Sequence, residues 1–275
     1  MASLKGRSVV VTGASSGIGW HLAARLARRG ARLVLVARRR DQLQSLKQSI
    51  ESEGLGSPLA IECDVSEREQ VDAMRGECER IVGDIDVLVN NAGRGAYGHL
   101  HEVAMEDHEA VVRTNVVGVI YCTHAFLPAM LERGSGHLAF VSSVLGELPA
   151  PEHAVYGATK FAVSGLAESL YHELAGTGVR VTLIEPGLVR SEFAEVSSTP
   201  LARFSQVPSK SPEEVAARIV RALEARWSWK VIPDPLARFG IDLRRHFPRI
   251  SRFVYGRITR RIRRRGGAND QVAPG

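Results

Sequence analysis

A glycine-rich turn that directly follows a short apolar run limits the folds open to this chain. Residues 8–11 (SVVV) lead into residues 12–19 (TGASSGIG), and an apolar-periodic segment through Leu22 and Leu26 comes next. This order predicts a strand, a tight turn and a helix.

The same turn indicates a ligand. Its glycines let the backbone bend tightly and let a pyrophosphate approach the first helix, whose free N–H groups and positive dipole end attract anions. The spacing is G-x-x-x-G-x-G rather than the commonest dinucleotide fingerprint, so a turn without a ligand remains an equal alternative at this point. For a bound dinucleotide, the predicted contacts are Gly13, Ser15, Ser16, Gly17, Ile18 and Gly19.

A tyrosine and a lysine stand four residues apart in the segment VYGATK, which predicts that Tyr156 and Lys160 share one face of a helix. A lysine cation within a few ångströms favours the phenolate and moves the tyrosine pKa from near 10 toward physiological pH. The phenol is then a candidate general acid or base. A solvated surface pair is the alternative, because i,i+4 contacts on helices are usually of that kind.

Further motifs at definite positions decide between these alternatives. An apolar run ends in NNAG at residues 90–93, Asn115 lies inside RTNV, Ser143 ends the strand-like HLAFVSS, and Pro-Gly follows at 186–187. With these motifs in place, residues 5–232 closely resemble the classical short-chain dehydrogenase/reductase family. The combination is specific, although no single part of it is.

The resemblance implies catalytic roles. Tyr156 would exchange a proton with the substrate oxygen while a nicotinamide exchanges a hydride with the adjacent carbon. Lys160 would lower the phenol pKa and hold the nicotinamide ribose. Ser143 has the family's spacing to Tyr156 and would orient the substrate oxygen, with Ser142 as a structural or cofactor-side neighbour. Asn115 would hold a water that links Lys160 to solvent; its alternative role is an amide that satisfies helix backbone groups.

The resemblance also implies cofactor contacts beyond the first turn. Asp64 resembles the family residue that meets the adenine amino group, and Val189 and Ser191 would lie beside the nicotinamide carboxamide. The other implied positions are Val65, Asn91, Ala92, Gly93, Pro186 and Gly187, together with Tyr156 and Lys160.

The end of the second predicted strand indicates which dinucleotide binds. Residues 32–37 (RLVLVA) end without a carboxylate to accept the ribose hydroxyls of NAD and continue into three arginines, Arg38 to Arg40. Guanidinium groups bind phosphate in bidentate fashion, so the run predicts NADP(H), with Arg38 in the family's NADP-type position and Arg39 and Ser15 as helpers. A solvated charge run at the start of a helix is the alternative.

Strand and helix signals alternate along the chain, which predicts an α/β fold: a Rossmann-like, doubly wound sheet of about seven parallel strands with helices on both faces. A length of 275 residues and 44% apolar content suit one such domain, predicted over 1–235 and followed by a basic helical extension and a disordered tail over 266–275. Strands are predicted near residues 7–12, 31–37, 58–63, 85–90, 136–142, 179–185 and 229–232.

Two helix starts and one irregular stretch are readable in this pattern. Ser66-x-x-Glu69 and Ser211-Pro212-Glu213-Glu214 both predict capped N-termini. The Ser/Pro-rich stretch 196–211 follows Pro-Gly at the place of the family's mobile substrate lid, here about 188–211.

Cysteine and histidine usage predicts a reducing, cytoplasmic setting without a metal site. Cys63, Cys78 and Cys122 are odd in number and form no C-x-x-C pair, and the histidines show no ligand spacing. His153, just before Tyr156, is interpreted as an ordinary surface or loop residue, with a place in the pocket wall as the alternative. The N-terminus lacks the charged start and apolar stretch of a signal peptide.

Residues 114–131 contain no Asp, Glu, Lys or Arg, which superficially meets the length of a membrane span. Asn115, Thr123, His124 and Pro128 within it favour a buried helix at a subunit interface instead. In the family that helix commonly pairs with its copy, so we expect at least a homodimer.

The extension over 236–265 departs from the family's pattern. It holds eleven of the 36 basic residues and one of the 30 acidic residues, so the rest of the chain carries 25 basic and 29 acidic ones. Apolar residues recur at three- or four-residue spacing, as in a basic amphipathic helix: Phe247, Ile250, Val254, Ile258 and Ile262. An anionic membrane surface, which would make the enzyme peripheral on the cytoplasmic face, is the first interpretation. Packing on the enzyme or a partner subunit is the second, and nucleic acid is disfavoured.

Two classes of function follow. The first is an NADP(H)-dependent carbonyl reductase or alcohol dehydrogenase acting on a small molecule, with an apolar substrate favoured. The alternative is a non-catalytic NADP(H) sensor that binds a membrane or polyanion on the same fold. The intact set of Asn115, Ser143, Tyr156 and Lys160 favours the enzyme, because a sensor needs no proton donor.

Overall fold

The computed structural model of the chain describes residues 3–190, 209–225, 229–232, 235–254 and 256–257. Its strands are β1 (Ser8–Thr12), β2 (Arg32–Ala37), β3 (Leu59–Glu62), β4 (Val87–Asn90), β5 (Gly136–Val141), β6 (Val179–Ile184) and β7 (Lys230–Val231). Its helices are α1 (Gly17–Arg28), α2 (Arg40–Ser52), α3 (Arg68–Ile81), α4 (Met105–Val112), α5 (Gly118–Glu132), α6 (Ala154–Glu173), α7 (Pro212–Glu224) and α8 (Pro235–His246). Ser191, most of the predicted lid and the tail over 258–275 lie outside the described residues.

All seven strands form one parallel sheet in the order β3-β2-β1-β4-β5-β6-β7. The predicted α/β fold with a doubly wound sheet is therefore confirmed. The chain extends the sheet in one direction from β1 to β3 and in the other from β4 to β7, so the order reverses between β1 and β4. Ligands of open α/β sheets bind outside the carboxyl ends of the strands at such a reversal.

The core divides into two layers because alternate strand residues point to opposite faces of the sheet. Val9 and Val11 of β1 pack with α1, α2 and α7, whereas Val10 between them packs with α3, α5 and α6. Phe140 of β5 is fully buried in the second layer. Helices cover both faces, so the central strands are apolar almost throughout, as in other buried parallel sheets.

One helical stretch in the described chain, Met105–Glu132, is long and apolar enough to cross a membrane, with a mean hydropathy of 1.3. A π-helical segment at Arg113–Val117 joins α4 to α5 within it. The side chains of Val119, Cys122 and Phe126 lie in the core, where they pack toward the sheet. The stretch is therefore a core helix, as the sequence predicted, and its role at a subunit interface stays a prediction.

The two predicted helix caps have different outcomes. Ser211 caps α7 as predicted: its hydroxyl accepts from the N–H of Glu214, and the Glu214 carboxylate accepts from the N–H of Ser211. The predicted cap at Ser66 is wrong. Both the N–H and the hydroxyl of Ser66 donate to Asp64 instead, and α3 begins two residues later with Glu67 at its N-cap.

The turn before β6 offers a stability test with a built-in control. Gly176 and Gly178 both have left-handed backbones, with φ of 82° and 84°, but a Cβ at Gly178 would lie 1.9 Å from the carbonyl oxygen of Gly134, whereas one at Gly176 would meet nothing within 4 Å. Gly176→Ala should cost only the left-handed strain, about 1 kcal/mol. Gly178→Ala should cost about 1–3 kcal/mol more because the backbones must move apart. Equal free energies of unfolding in urea for the two variants would contradict this account.

Candidate active site

The glycine turn after β1 has the close backbone approach that its sequence predicts. Gly13 has a φ of 68°, and a Cβ on it would lie 2.8 Å from the Cα of Ala92. A Cβ on Gly19 would lie 2.1 Å from the carbonyl oxygen of Gly13, so helix and turn touch without room for a side chain. Gly17 begins α1 with a φ of 55°, and the side chain of its N-cap residue, Ser16, makes no capping hydrogen bond. The N–H groups at this helix start are thus placed to hold an anion.

Two residues tie this turn to the end of β4. The hydroxyl of Thr12 accepts from the N–H groups of Asn91 and Ala92, both at 3.0 Å, and donates to the Val89 carbonyl at 3.1 Å. In return, the Asn91 amide donates to the carbonyl oxygens of Thr12 at 2.9 Å and Gly13 at 3.3 Å. The carboxyl ends of β1 and β4, where the strand order reverses, are therefore held together by side-chain hydrogen bonds. Sequence reasoning missed Thr12, although it opens the glycine motif.

The arginine run lies beside the turn. Arg39 donates from Nε to the hydroxyl of Ser15 at 3.3 Å and from a terminal nitrogen to the Ser15 carbonyl at 3.4 Å. Arg38 pairs with Asp64 at 3.5 Å, which joins the ends of β2 and β3. Burial raises the pKa of Asp64, but hydrogen bonds from Ser66 and the Arg38 charge outweigh it and leave the pKa lowered. Both guanidinium groups remain exposed at the rim of the crevice, where a phosphate can reach them.

Tyr156 and Lys160 share one buried face of α6, as their spacing predicts. The Lys160 ammonium lies 5.7 Å from the centre of the Tyr156 ring and donates to the Val141 carbonyl at the end of β5, at 3.0 Å. Burial lowers the pKa of Lys160 to about 8, so the side chain is predominantly protonated at pH 7.

The expected lowering of the phenol pKa is wrong. Burial raises the pKa of Tyr156 to about 12, and a hydrogen bond from Ser143 offsets only part of that increase. The charge of Lys160 was expected to dominate the pKa of Tyr156. The free-energy cost of removing a phenolate from water has the larger effect on this pKa. Tyr156 is therefore a neutral phenol at pH 7, with its proton available for donation.

The wall around the phenol comes from residues that follow β4 and β5. The ring of Tyr97 meets that of Tyr156 edge-on at 5.6 Å, and the ring of His153 lies 4.8 Å from Tyr97. The surface interpretation of His153 is wrong, because it is only 8% exposed and hydrogen-bonds the Pro151 carbonyl. Ser143 starts the loop after β5, and its hydroxyl oxygen accepts from the N–H of Leu145 at 3.1 Å, which leaves its own proton for a second partner.

Asn115 lies in the π-helical segment and is 1% exposed. Its carbonyl oxygen accepts from the N–H of Arg94 at 2.8 Å, and its amide donates to the Arg94 carbonyl and to the Thr159 hydroxyl. Thr159 in turn donates to the Tyr156 carbonyl at 2.7 Å. Asn115 therefore fixes the loop after β4 onto α6, and the backbone groups that it satisfies belong to that loop rather than to a helix. Its part in a water relay stays a prediction.

A chain of buried polar side chains links α6 to the ends of β5 and β6 and to β7. The hydroxyl of Ser142 donates to the Lys160 carbonyl at 3.0 Å, and its oxygen lies 2.9 Å from that of Ser164, which donates to Glu185 at 3.0 Å. Glu185 is fully buried and pairs with Lys230 of β7 at 3.1 Å. Burial raises the pKa of Glu185 even though the Lys230 charge opposes this effect. The only hint of this chain in the sequence is an isolated acid in the apolar run VTLIEPG.

The remaining predicted cofactor positions lie along the same edge of the sheet. Val65 packs against the start of α5, where a Cβ added at Gly118 would lie 2.8 Å from a methyl carbon of Val65. Pro186 accepts from the N–H of Val144, and Val189 pairs with Lys210 in an isolated parallel bridge. Among the described residues, no group of three His, Cys, Asp or Glu side chains is placed to hold a metal ion. The glycine turn, the uncapped helix start and the arginine pair fit a dinucleotide. Contacts of Asn91, Ala92, Gly93 and Gly187 with it stay predictions.

Comparisons with known proteins agree with this geometry. The model of the family described as short chain dehydrogenase matches residues 7–201. An uncharacterised oxidoreductase of Myxococcus xanthus is 37% identical over 250 residues, which cover 86% of this chain and 96% of that protein. A short chain dehydrogenase/reductase from Burkholderia phymatum in complex with NAD aligns with a TM-score of 0.83 at 29% identity, covering 89% of this chain and 95% of its own. A short-chain dehydrogenase from Sphingobium yanoikuyae in complex with NADPH gives a TM-score of 0.77 at 26% identity, with 98% of each chain covered.

The buried ammonium of Lys160 should be visible as a pH dependence of stability. The unfolded chain holds this proton up to a pKa near 10.5, whereas the folded chain releases it near 8, so between these values the unfolded state binds more protons and raising the pH favours folding. The stability of the wild type relative to Lys160→Met should therefore grow from pH 8 to 10, by up to about 1.4 kcal/mol per pH unit.

Urea unfolding at pH 8, 9 and 10 measures this difference. Lys5→Met, at an exposed lysine, controls for the removal of a charge. A stability difference between wild type and Lys160→Met that stays constant over this range would contradict the buried ammonium.

Proposed function

The chain belongs to the short-chain dehydrogenase family, and on that basis we propose that it is an NADP(H)-dependent oxidoreductase that interconverts a carbonyl and an alcohol. The observation that carries the proposal is the juxtaposition of a buried phenol, a buried ammonium and a serine hydroxyl at the carboxyl edge of the sheet, beside the glycine turn. A binding protein would have no use for a proton donor at this place.

Tyr156 holds the proton of the reaction on its phenol oxygen. Its pKa of about 12 keeps that proton in place at pH 7, which suits donation to a substrate oxygen that becomes more basic as a carbonyl is reduced. Carbonyl reduction is therefore the direction that the protonation state favours. In the reverse direction, the phenolate would accept the alcohol proton, and this step would gain from higher pH.

Ser143 and Lys160 prepare the phenol from two sides. The Ser143 hydroxyl hydrogen-bonds Tyr156 and favours its ionised form, and the same hydroxyl is placed to orient a substrate oxygen. The Lys160 ammonium, fixed by the Val141 carbonyl, supplies a positive charge toward the phenolate that forms when the proton leaves. Both residues thus act on the charge that develops during proton transfer.

A bound nicotinamide dinucleotide supplies or accepts the hydride. The glycine turn and the start of α1 would hold its pyrophosphate, because the missing side chains and free N–H groups suit two phosphates. Asn91 stiffens this turn through its two carbonyl contacts. Lys160 would hold the nicotinamide ribose, and Val189 and Ser191 would lie beside the carboxamide.

A preference for NADP(H) over NAD(H) is supported by the end of β2. Arg38 and Arg39 are both exposed there, and Arg39 already reaches over the turn to Ser15. No carboxylate ends β2, so nothing at that strand end favours the free hydroxyls of NAD. Asp64 neutralises part of the Arg38 charge and holds it toward the adenine side.

The proposal also covers the substrate class, the oligomeric state and the cellular compartment. Tyr97 lies beside the phenol, and with Leu145, Leu148 and Val189 it would make an apolar pocket wall, which favours an apolar or lipid-like carbonyl compound. Ile120 of α5 is 45% exposed and belongs to the helix expected to pair with its copy in a homo-oligomer. The scattered, buried cysteines accord with a cytoplasmic setting.

Removal of the phenol hydroxyl tests catalysis directly. Tyr156→Phe should lower kcat at least about a hundredfold on a carbonyl substrate found by screening ketones and aldehydes for NADPH oxidation. NADPH affinity, measured by fluorescence titration, should stay close to that of the wild type. Tyr171→Phe, at an exposed tyrosine on the same helix, is the matched control. Full turnover by Tyr156→Phe would contradict the role of Tyr156 as proton donor, whereas NADPH binding without oxidation on any carbonyl compound tested would favour the sensor.

Charge reversal at the end of β2 tests the cofactor preference. Arg38→Asp should weaken NADPH binding about tenfold or more, because it removes a charge-assisted contact and sets a carboxylate against the phosphate, and it should improve the relative use of NADH. Arg40→Asp makes the same charge change in the same run and should have a smaller effect. The measurement is kcat/KM with each cofactor, and equal values for both cofactors in the wild type would contradict the preference.

A further inference from the structure

In the helical segment that follows β7, residues 235–257, most of the described large apolar side chains are exposed, although Ile241 of α8 is buried. Helical backbone continues over 248–254 after α8. In this second part the buried side chain is Ser251, at 2% exposure, whereas Phe247, Ile250 and Phe253 are 53–60% exposed. A surface helix normally buries its apolar stripe and leaves its polar residues in water. The reversed arrangement leaves an apolar stripe without cover from the described part of the chain.

Exposed apolar side chains are concentrated here. Of the thirteen large hydrophobic residues that are exposed in the described chain, six lie between residues 236 and 254. They are Leu236, Phe239, Phe247, Ile250, Phe253 and Val254. The other seven are spread over helices and loops elsewhere. Scattered exposed hydrophobic residues are ordinary, but a contiguous group marks an interaction surface.

The same segment is strongly basic. Six arginines and one acid, Asp242, lie within 235–257. Five of the arginines are exposed: Arg238, Arg245, Arg249, Arg252 and Arg257. The guanidinium of Arg257 lies 5.6 Å from the centre of the Phe253 ring, so cation and aromatic ring occupy one surface. The partner must therefore present negative charge and an apolar layer at short range.

Three kinds of partner can be compared on this basis. A second copy of the chain would meet the segment with the same arginines in a two-fold contact, and like charges would oppose the pairing. Nucleic acid would satisfy the arginines but would leave the phenyl and aliphatic side chains in water. A bilayer with anionic headgroups offers phosphates above hydrocarbon, which matches both groups of side chains.

The segment also rests on the active-site loop. Arg244 donates to the Glu147 carbonyl and lies 5.3 Å from the centre of the Phe161 ring, next to Lys160 on α6. Between the segment and this loop is a cavity of about 460 Å³. Its lining includes Arg244, Arg245 and Arg252, a donor set that suits the phosphate of a lipid headgroup.

We propose that residues 235–257 form a docking surface for anionic phospholipid bilayers, with the exposed phenyl and aliphatic side chains entering the headgroup region and the arginines binding lipid phosphates. Docking through this segment would bring the loop after Ser143 near the bilayer surface, because Arg244 joins that loop to the segment. The binding itself requires no catalytic activity, so its test is independent of the proposed reaction.

The test is co-sedimentation of the full chain with vesicles of phosphatidylcholine alone and with vesicles in which a third of the lipid is phosphatidylglycerol. The wild type should bind the anionic vesicles and leave the neutral ones largely free. The apolar variant Phe247→Ser, Ile250→Ser, Phe253→Ser and the charge variant Arg249→Glu, Arg252→Glu should each lower binding at least about tenfold. Their matched controls are Ile81→Ser with Met105→Ser and Arg68→Glu with Arg80→Glu, at exposed positions on other helices. Unchanged thermal unfolding shows that each variant is folded.

Five results would overturn the proposal. The first four are no binding of the wild type to anionic vesicles, equal losses in variants and controls, wild-type binding by the apolar variant, and tighter binding to a DNA duplex than to vesicles. Loss of a dimer in the apolar variant, measured by sedimentation velocity without lipid, would assign the stripe to a second copy and would also overturn the proposal. Turnover by Tyr156→Phe does not enter any of these readouts, so failure of docking and failure of the proposed reaction remain distinguishable.

Discussion

The hydrogen bonds between Thr12 and the segment after β4 are the constraint on which the rest of the site depends. They hold together the carboxyl ends of β1 and β4, where helices leave the sheet in opposite directions. At this reversal the covering helices diverge and a crevice opens. If the two strand ends separated, the glycine turn would lose the backbone approach of Gly13 to Ala92, and α1 would no longer aim its N-terminus into the crevice.

Burial, rather than direct pairing of charges, sets the protonation states around the phenol. Tyr156 keeps its proton and Lys160 has a weakened hold on its own because both are removed from water. The site tolerates a buried ammonium because the Val141 carbonyl accepts from it. Glu185, which Ser164 contacts one turn further along the same face of α6, is also buried and is paired with Lys230. This face of α6 therefore meets two buried ionisable groups, each with a partner at a neighbouring strand.

Local spacing explains why much of the fold and site could be predicted from the sequence. The glycine turn, the Tyr156–Lys160 face and the Ser211 cap each depend on residues within a few positions of one another, and the structure has them as expected. The misjudged features depend on competition or on distant contacts. Ser66 could cap a helix or bind Asp64, and the pKa of Tyr156 depends on how deeply the whole fold buries it.

Contacts between distant segments could not be predicted from the sequence for the same reason. No periodicity reveals that Lys230 would pair with the carboxylate of Glu185 just after β6, or that Arg244 would reach the loop after β5. The apolar spacing of the extension was readable, but it does not say which face turns toward the enzyme. The burial of Ser251 and the exposure of Phe253 supply that information.

Glu147 connects the loop after β5 to both β7 and α8. Its carboxylate pairs with Lys230 of the short last strand, while its carbonyl oxygen accepts from Arg244 of the helix that follows. The loop that starts at Ser143 is thus anchored twice to the chain's last described elements, across nearly a hundred residues. A displacement of the extension would be transmitted to the pocket wall through these two anchors, so the outer helix and this loop are mechanically coupled.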